Sequence, residues 1–360
     1  MLERNGIDPL YLQVKKEILA QIEDGRIRIG DKLMSENKMM DYYNVSRMTV
    51  RSALSELVSE GVLRKEQGLG SFCVGLPQKE RPLNVDILVN CDDRYFIPCV
   101  LKGINSIFEK ENANLLLHDT KDSMDCILRI LGEIYDHGTD GVILQLCHQE
   151  QNMEPLRQLL LRFRQKSIPV VMLCGEIVDS GCTCLNIDDY YGACVATQFL
   201  LDSGHKRILG LFAQSDYGVD GRSAGVQDTV EKRPGCSLSI LKYSDSFEHE
   251  ILDAIERDRI TAIVCYNDVY AVRCMRVLQE AGYRIPDDIS LIGYDDIDLS
   301  MTTIPRLTTL SHPKDHLSSD AARLLLLQMR GAMSNQASFV YRPELVIRES
   351  VRDLNKGKAK

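Results

Sequence analysis

Two rhythms of apolar and polar positions divide this chain. From Pro9 to Val74 the spacing is helical. YLQVKKEILAQIEDG sets Leu12, Ile18, Leu19 and Ile22 on one predicted face and stops at Gly25. SENKMMDYYN opens at Ser35, whose hydroxyl suits a helix N-cap. Ser46 opens a third helix, with Val50, Leu54, Leu57 and Val58 on its apolar side and Gly61 at its end. VLRKEQGLGSFCV follows as two short strands around Gly-Leu-Gly. Three helices and a two-stranded wing predict a winged helix-turn-helix over residues 1–74.

GLPQKERPL, residues 75–83, is rich in proline and charge and reads as a linker. Beyond it the rhythm changes to apolar runs separated by helical stretches of roughly ten to twenty residues. VDILVN, NLLLH, GVILQL, PVVMLC, TCLNI, RILGLF, AIVCYN and ISLIGY are the predicted strands. Strand alternating with helix means parallel sheets covered on both faces. Residues 84–352 are too many for one such sheet, which predicts two α/β lobes with a cleft between them. Residues 353–360, ending in NKGKAK, read as a flexible tail.

Composition narrows the class. With 44% hydrophobic and 26% charged residues in 360, the chain is globular. No apolar run reaches the ~18 residues of a membrane span. The start, MLERNGIDPLYLQVKKEI, lacks a charged-then-apolar leader, so the chain is expected to stay in the cytoplasm. Twelve cysteines include no CxxC pair and sit mostly in apolar runs, which argues for reduced core residues and against a metal site. No cofactor motif accompanies them. Residues 1–76 hold 11 basic and 11 acidic residues, so the net charge of −9 belongs entirely to the remainder. Contact with nucleic acid must therefore come from a small, focused patch.

The third helix supplies one. In a helix-turn-helix the second helix of the motif enters the major groove by its N-terminal residues. Arg47 and Arg51 offer bidentate donors there, and Ser46 and Thr49 offer hydroxyls to phosphate. The alternative is an ordinary surface helix whose arginines pair with Glu56 or Glu60. LMSENKMMDYYNVSRMTVRSALSELVSEGVLRKEQGLGSFCV resembles the DNA-binding domain of the gluconate-repressor family over about 65 residues, departing from its pattern at Met34 and Cys73. The resemblance implies DNA roles for Ser46, Arg47, Thr49 and Arg51, and for Gln67 and Gly68 in the wing. Asn37 and Lys38, on the preceding helix, are further candidates. Met48 suits either an apolar contact or plain packing.

In the larger region, polar groups follow apolar strands: Asn267 and Asp268 after AIVCY, Asp295 and Asp296 after LIGY. That edge of an open α/β sheet is where ligands bind. Carboxylates, amides and one arginine suit a polyhydroxylated ligand. Each pair also reads as a helix cap, and Arg222 as a surface charge. The order of NIDDYYGACVATQFLLDSGHKRI, GRSAGV, AIVCYND, IPDDISLIGYDD, PRLTT and PELVIRES resembles the effector domain of the lactose-repressor family, which is related to type I periplasmic sugar-binding proteins. That likeness implies ligand contacts at Arg222, Asn267 and Asp295, with Asp268 adjacent, and an aromatic lining at Tyr95 and Phe96. Loops after GVILQL and VVMLC add Gln145 and Glu176. The combined architecture looks like the arabinose-operon repressor group, implying operator DNA, a sugar effector such as L-arabinose, and a homodimer with heads ~34 Å apart or a multiple of it. Rival readings remain. One is a sugar-acting enzyme using Asp295, Asp268 and His205 or His312. Others are a sugar receptor, and a regulator answering another sugar or a purine.

Overall fold

The computed structural model describes residues 9–66, 69–76, 81–91, 95–146, 152–214, 219–244, 247–334 and 336–356, and divides into two units, Met1–Arg81 and Pro82–Lys360. The first unit holds α1 (Leu10–Glu23), α2 (Glu36–Tyr43), α3 (Arg47–Ser59) and the antiparallel strands β1 (Leu63–Glu66) and β2 (Gly70–Cys73), paired from Leu63↔Cys73 to Glu66↔Gly70. Val14, Ile18 and Ile22 bury against Met39, Tyr43, Val50, Leu54 and Leu57. The buried stripe of α1 is thus Val14–Ile18–Ile22, with the predicted Leu12 and Leu19 half-buried on its flanks. Gln21 joins the stripe because its amide donates to the Tyr43 hydroxyl at 3.3 Å.

Local chemistry fixes the turn between α2 and α3. Asn44 ends α2 in the left-handed region at φ 53°, which a short polar side chain tolerates. Ser35 and Ser46 cap their helices by accepting from the backbone N–H of Lys38 and Thr49 at 3.4 and 3.2 Å. Lys15 of α1 bonds Glu56 at 2.9 Å and Glu60 at 2.5 Å. Those two carboxylates are thereby engaged by α1 rather than by the arginines of α3.

The second unit opens with β3 (Leu83–Val89), α4 (Phe96–Phe108), β4 (Ala113–Asp119), α5 (Met124–His137), β5 (Gly141–Gln145), α6 (Glu154–Gln165), β6 (Val170–Leu173) and β7 (Thr183–Ile187). The chain crosses at 187–189 into α7 (Asp189–Asp202), β8 (Arg207–Phe212), α8 (Val219–Glu231), β9 (Ser237–Lys242), α9 (Phe247–Asp258), β10 (Ala262–Cys265), α10 (Asp268–Glu280), β11 (Ser290–Ile292), α11 (Asp298–Thr302) and β12 (Thr309–Ser311). It returns at 311–314 to α12 (Lys314–Met329) and β13 (Ser338–Tyr341), then crosses a third time to β14 (Glu344–Val346). The first lobe's sheet runs β13-β7-β6-β5-β3-β4 and the second's β11-β10-β8-β9, all parallel, while β12 and β14 form an antiparallel pair.

Both lobes bury both faces of the sheet, which is why their central strands are almost continuously apolar. In the first lobe Val85, Ile87 and Val171 meet Val100 of α4 and Leu317 of α12, while Leu88, Leu144 and Met172 meet α5 and α6. All eight predicted strands are present. The four not predicted are β9 and β13, which are sheet edges, and the three-residue β12 and β14. The predicted flexible tail is partly a correction: the backbone N–H of Leu354 donates to Ser203 O and the Asn355 amide to Asp202 O, both at 2.8 Å. The end of α7 needs donors for its last carbonyls, and residues 354–355 supply them.

Helices α7 and α8 meet without a spacer. A Cβ on Gly225 would lie 2.5 Å from the Tyr190 carbonyl oxygen and 2.8 Å from the Ala193 Cβ, so one backbone or the other would have to move. Gly225→Ala is expected to cost about 1–3 kcal/mol of stability, as overpacking does, measured by urea denaturation.

Candidate ligand cleft and nucleic-acid interface

At the carboxyl edge of the second lobe's sheet, Arg222 is held from several directions. It reaches in from α8 and is 8% exposed. Its Nε donates to Asp189 Oδ1 at 2.8 Å and its Nη1 to the Tyr266 carbonyl at 2.6 Å, while Nη2 lies 3.7 Å from Asp295 Oδ1. The guanidinium carbon sits 3.7 Å from the Tyr294 ring centroid and 4.6 Å from that of Tyr266. Burial works against the charge, but Asp189, Tyr266 and Asp295 outweigh it and hold the guanidinium pKa well above its usual value.

Asp295 follows β11 with φ at 100°, a conformation an L-residue holds only where its surroundings impose it. Its N–H donates to Leu310 O at 2.8 Å, and its Oδ1 lies 3.2 Å from His312 Nε2. Burial alone would raise this carboxyl. The His312 hydrogen bond and the charges of Arg222 and Lys314 prevail and hold it at about 2. Asp295 and Asp296 line a cleft of about 450 Å³ whose opposite wall carries Tyr95, Pro98 and Cys99, with Ser311, His312, Lys314 and His316 from the second crossover between them. Tyr95 and Asp295, each expected at a ligand site, thus line one cavity. The Phe96 side chain lies outside the described residues.

Other predicted contacts fall differently. Asn267 caps α10 by accepting from Tyr270 N–H at 3.0 Å, so the capping alternative holds for it. Asp268 has no exposed surface: Thr309 Oγ1 donates to its Oδ1 at 2.5 Å and Ile297 N–H to its Oδ2 at 3.0 Å. It is a latch beneath the cleft floor rather than a cleft residue, because both of its oxygens are engaged in holding β12 and the segment before α11. Gln145 ends β5 at 5% exposure, and among the described residues its Oε1 has no hydrogen-bond partner. Glu176 is exposed and accepts from Asn186 at 3.5 Å. Among the described residues neither lines the cavity that Asp295 faces. Sequence reasoning missed Asp189, Tyr266, Tyr294 and Lys314 as parts of this site. The two tyrosines stand immediately before the Asn267–Asp268 and Asp295–Asp296 pairs, and that adjacency was the available signal.

In the first unit α3 presents Arg47, Met48 and Arg51 on its exposed side, Met48 at 70%. Ser46 Oγ and Thr49 Oγ1 lie 2.8 Å apart, so the two hydroxyls bond each other as well as the helix start. Arg47 Nη2 donates to Asn37 Oδ1 at 2.7 Å, and Arg51 Nε to Glu36 Oε2 at 2.9 Å. Lys38 is exposed on α2. Gln67 and Gly68 lie outside the described residues. Among the described residues no cluster of His, Cys, Asp and Glu could hold a metal ion, and no helix is long and apolar enough to cross a membrane.

A winged helix-turn-helix head on a two-lobed ligand-binding body defines a class, the transcription regulators that answer a small molecule. The comparisons agree. Residues 10–73 match the model of bacterial regulatory proteins of the gntR family, and residues 197–351 that of a periplasmic-binding-protein-like domain. The chain is 30% identical to the arabinose metabolism transcriptional repressor of Geobacillus stearothermophilus over 96% of its own length and 98% of the relative's. It is 31% identical to the repressor of that name from Halalkalibacterium halodurans, over 97% and 99%. A LacI family transcriptional regulator of Enterococcus faecium, solved with bound ribose, superposes with a TM-score of 0.64 at 23% identity, covering 75% of this chain and 99% of that one, which shows the fold. This chain belongs to the arabinose metabolism transcriptional repressor family.

The latch has a pH signature. Burial, then the neighbouring charge of Asp295, push the Asp268 carboxyl up to about 7. In the unfolded chain a free Asp titrates near ~3.9. Between those values the folded state keeps a proton that the unfolded chain has released, so this contribution to stability is lost as pH rises through about 7. The stability of the native protein relative to Asp268→Asn is expected to decline from about pH 5 to about pH 8, read by urea denaturation across that range.

Proposed function

We propose that this protein is a sugar-responsive transcriptional repressor that binds operator DNA as a dimer through its winged heads and releases it when L-arabinose enters the cleft. One observation carries the sugar reading. The Asp295 carboxylate lines a cleft that Tyr95 also lines, and the clamped, permanently charged Arg222 stands directly behind it. Guanidinium donates to ring and hydroxyl oxygens, carboxylate accepts from hydroxyls, and an aromatic ring covers the apolar face of a pyranose. The choice of arabinose is supported by the names of the two full-length relatives. Those relatives are repressors, so the site is read as one that binds its sugar without turning it over, in a protein working in the cytoplasm alongside DNA.

Release requires the sugar to bind one arrangement of the lobes better than the other, with a coupling of ~1–3 kcal/mol between sugar and DNA. The expected outcome of a thermal-shift screen is saturable stabilisation by L-arabinose that grows with its concentration. Arg222→Leu should abolish that shift, and Arg47→Ala should keep it while losing DNA binding. Stabilisation by a different pentose or by a purine would retain the repressor and reassign its effector. Conversion of L-arabinose to a product would overturn the binding-only reading.

A further inference from the structure

Two residues in succession take the left-handed region at the edge of the cleft: Asp295 at φ 100° and Asp296 at φ 48°. Residues with a Cβ enter that region at a cost, and such a turn persists only where its neighbours impose it. Three anchors impose it here. The Asp295 N–H donates to Leu310 O at 2.8 Å, and the Ile297 N–H to Asp268 Oδ2 at 3.0 Å. Between them, Asp296 Oδ1 accepts from Arg348 Nη2 at 2.6 Å and, more weakly, from Ser300 Oγ at 3.4 Å. Arg348 lies in the segment after β14, and its side chain is 11% exposed. Its Nη1 donates to Leu307 O at 2.8 Å and to Ser300 Oγ at 3.2 Å, and its backbone N–H to Thr308 Oγ1 at 3.0 Å. A planar guanidinium fixed at so many points is a rigid peg, not a loose surface charge.

Resting on the proposal that the cleft takes a sugar, we infer that Arg348 is a positioning residue for that ligand: it holds Asp296 in the left-handed turn that aims the Asp295 carboxylate into the cleft. Asp295 and Asp296 are both among the residues that line the cavity, and Arg348 is not. The hydrogen bonds divide the work between the two carboxylates. Asp295 Oδ1 faces His312 and Arg222, whereas Asp296 Oδ1 is turned back to Arg348. Without the peg, Asp296 is free to relax to negative φ, and the peptide it shares with Asp295 rotates with it. The ligand then meets a carboxylate that is in place in only a fraction of the molecules, and its apparent affinity falls by that fraction.

The test uses the full chain and L-arabinose, with Kd from titration calorimetry well below each variant's Tm. Arg348→Met keeps most of the side-chain bulk and removes the peg. Its Kd is expected to rise at least about tenfold, as when the competent turn is held in about a tenth of the molecules. An arginine that only stabilises the fold would lower Tm and leave Kd unchanged, and that result overturns the inference. Two double variants isolate the turn, and neither leaves the Asp296 carboxylate buried without its partner. Arg348→Met with Asp296→Gly should recover Kd to within about threefold of the unmodified protein, because glycine takes positive φ freely. Arg348→Met with Asp296→Ala should stay weak, because a Cβ disfavours that φ. Recovery in both, or in neither, overturns the inference. Should Arg348→Met not melt cooperatively, Arg348→Lys, which replaces the fork with a single ammonium, is read in the same way. Failure of the unmodified protein to bind L-arabinose overturns the effector reading beneath the inference, and the inference with it.

Discussion

A guanidinium withdrawn from water needs its hydrogen bonds and its counter-charge supplied by the fold, and Arg222 obtains both from elements far apart in sequence. Asp189 stands at the start of α7, just after the first crossover. The Tyr266 carbonyl ends β10, and Tyr294 and Asp295 follow β11. Bringing them together requires β8, β10 and β11 to be parallel and adjacent, so that their carboxyl ends converge. Asp295 in turn bonds His312 on the second crossover, and Asp188 donates its N–H to Tyr341 O on the third. The charged pair in the cleft and the three passages between the lobes are one connected arrangement. A ligand that competes for Arg222 or Asp295 acts directly on the segments that pass between the lobes.

Much of this was legible in the chain. Strands buried on both faces are written as unbroken apolar runs, and VDILVN, GVILQL and AIVCYN could be read without ambiguity. Two of the four edge strands carry no such mark: SLSILK and SFVY keep exposed positions along their length, whereas the edges β4 and β11 are still written as apolar runs. The same distinction governs the site. Arg222 and Tyr95 were expected from the family resemblance, and Asp295 also from its place just after the apolar run LIGY. Asp268 was misplaced because a carboxylate one position from the cleft turns inward, and the sequence does not show that Thr309 and Ile297 wait there for it. A Cβ on Gly293 would run into the Asp268 carboxylate and Leu307, so the glycine of LIGYDD exists for the latch. That is a packing fact, invisible until the strands are paired.

The two units distribute charge in opposite ways. The head balances its cations with carboxylates such as Glu36, Glu56 and Glu60, each hydrogen-bonded to a named partner. The body carries the whole net negative charge of the chain. Long-range attraction of phosphate to the chain as a whole is thus weak. Affinity for DNA in such a system depends on geometry more than on bulk attraction.

The return of the chain through α12 and β13 has a consequence for how the protein is made. Leu317, Ala321 and Leu325 of α12 belong to the buried core of the first lobe, and β13 closes the edge of its sheet beside β7. Yet these residues are synthesised only after most of the second lobe, from α7 to β12. During translation the first lobe must wait, with one sheet face covered by α4 alone, through the emergence of more than a hundred intervening residues (188–313). The nascent chain therefore cannot acquire its lobes one after the other, as a string of independent domains does. A ribosome stalled anywhere before α12 holds a first lobe whose apolar core lacks Leu317, Ala321 and Leu325.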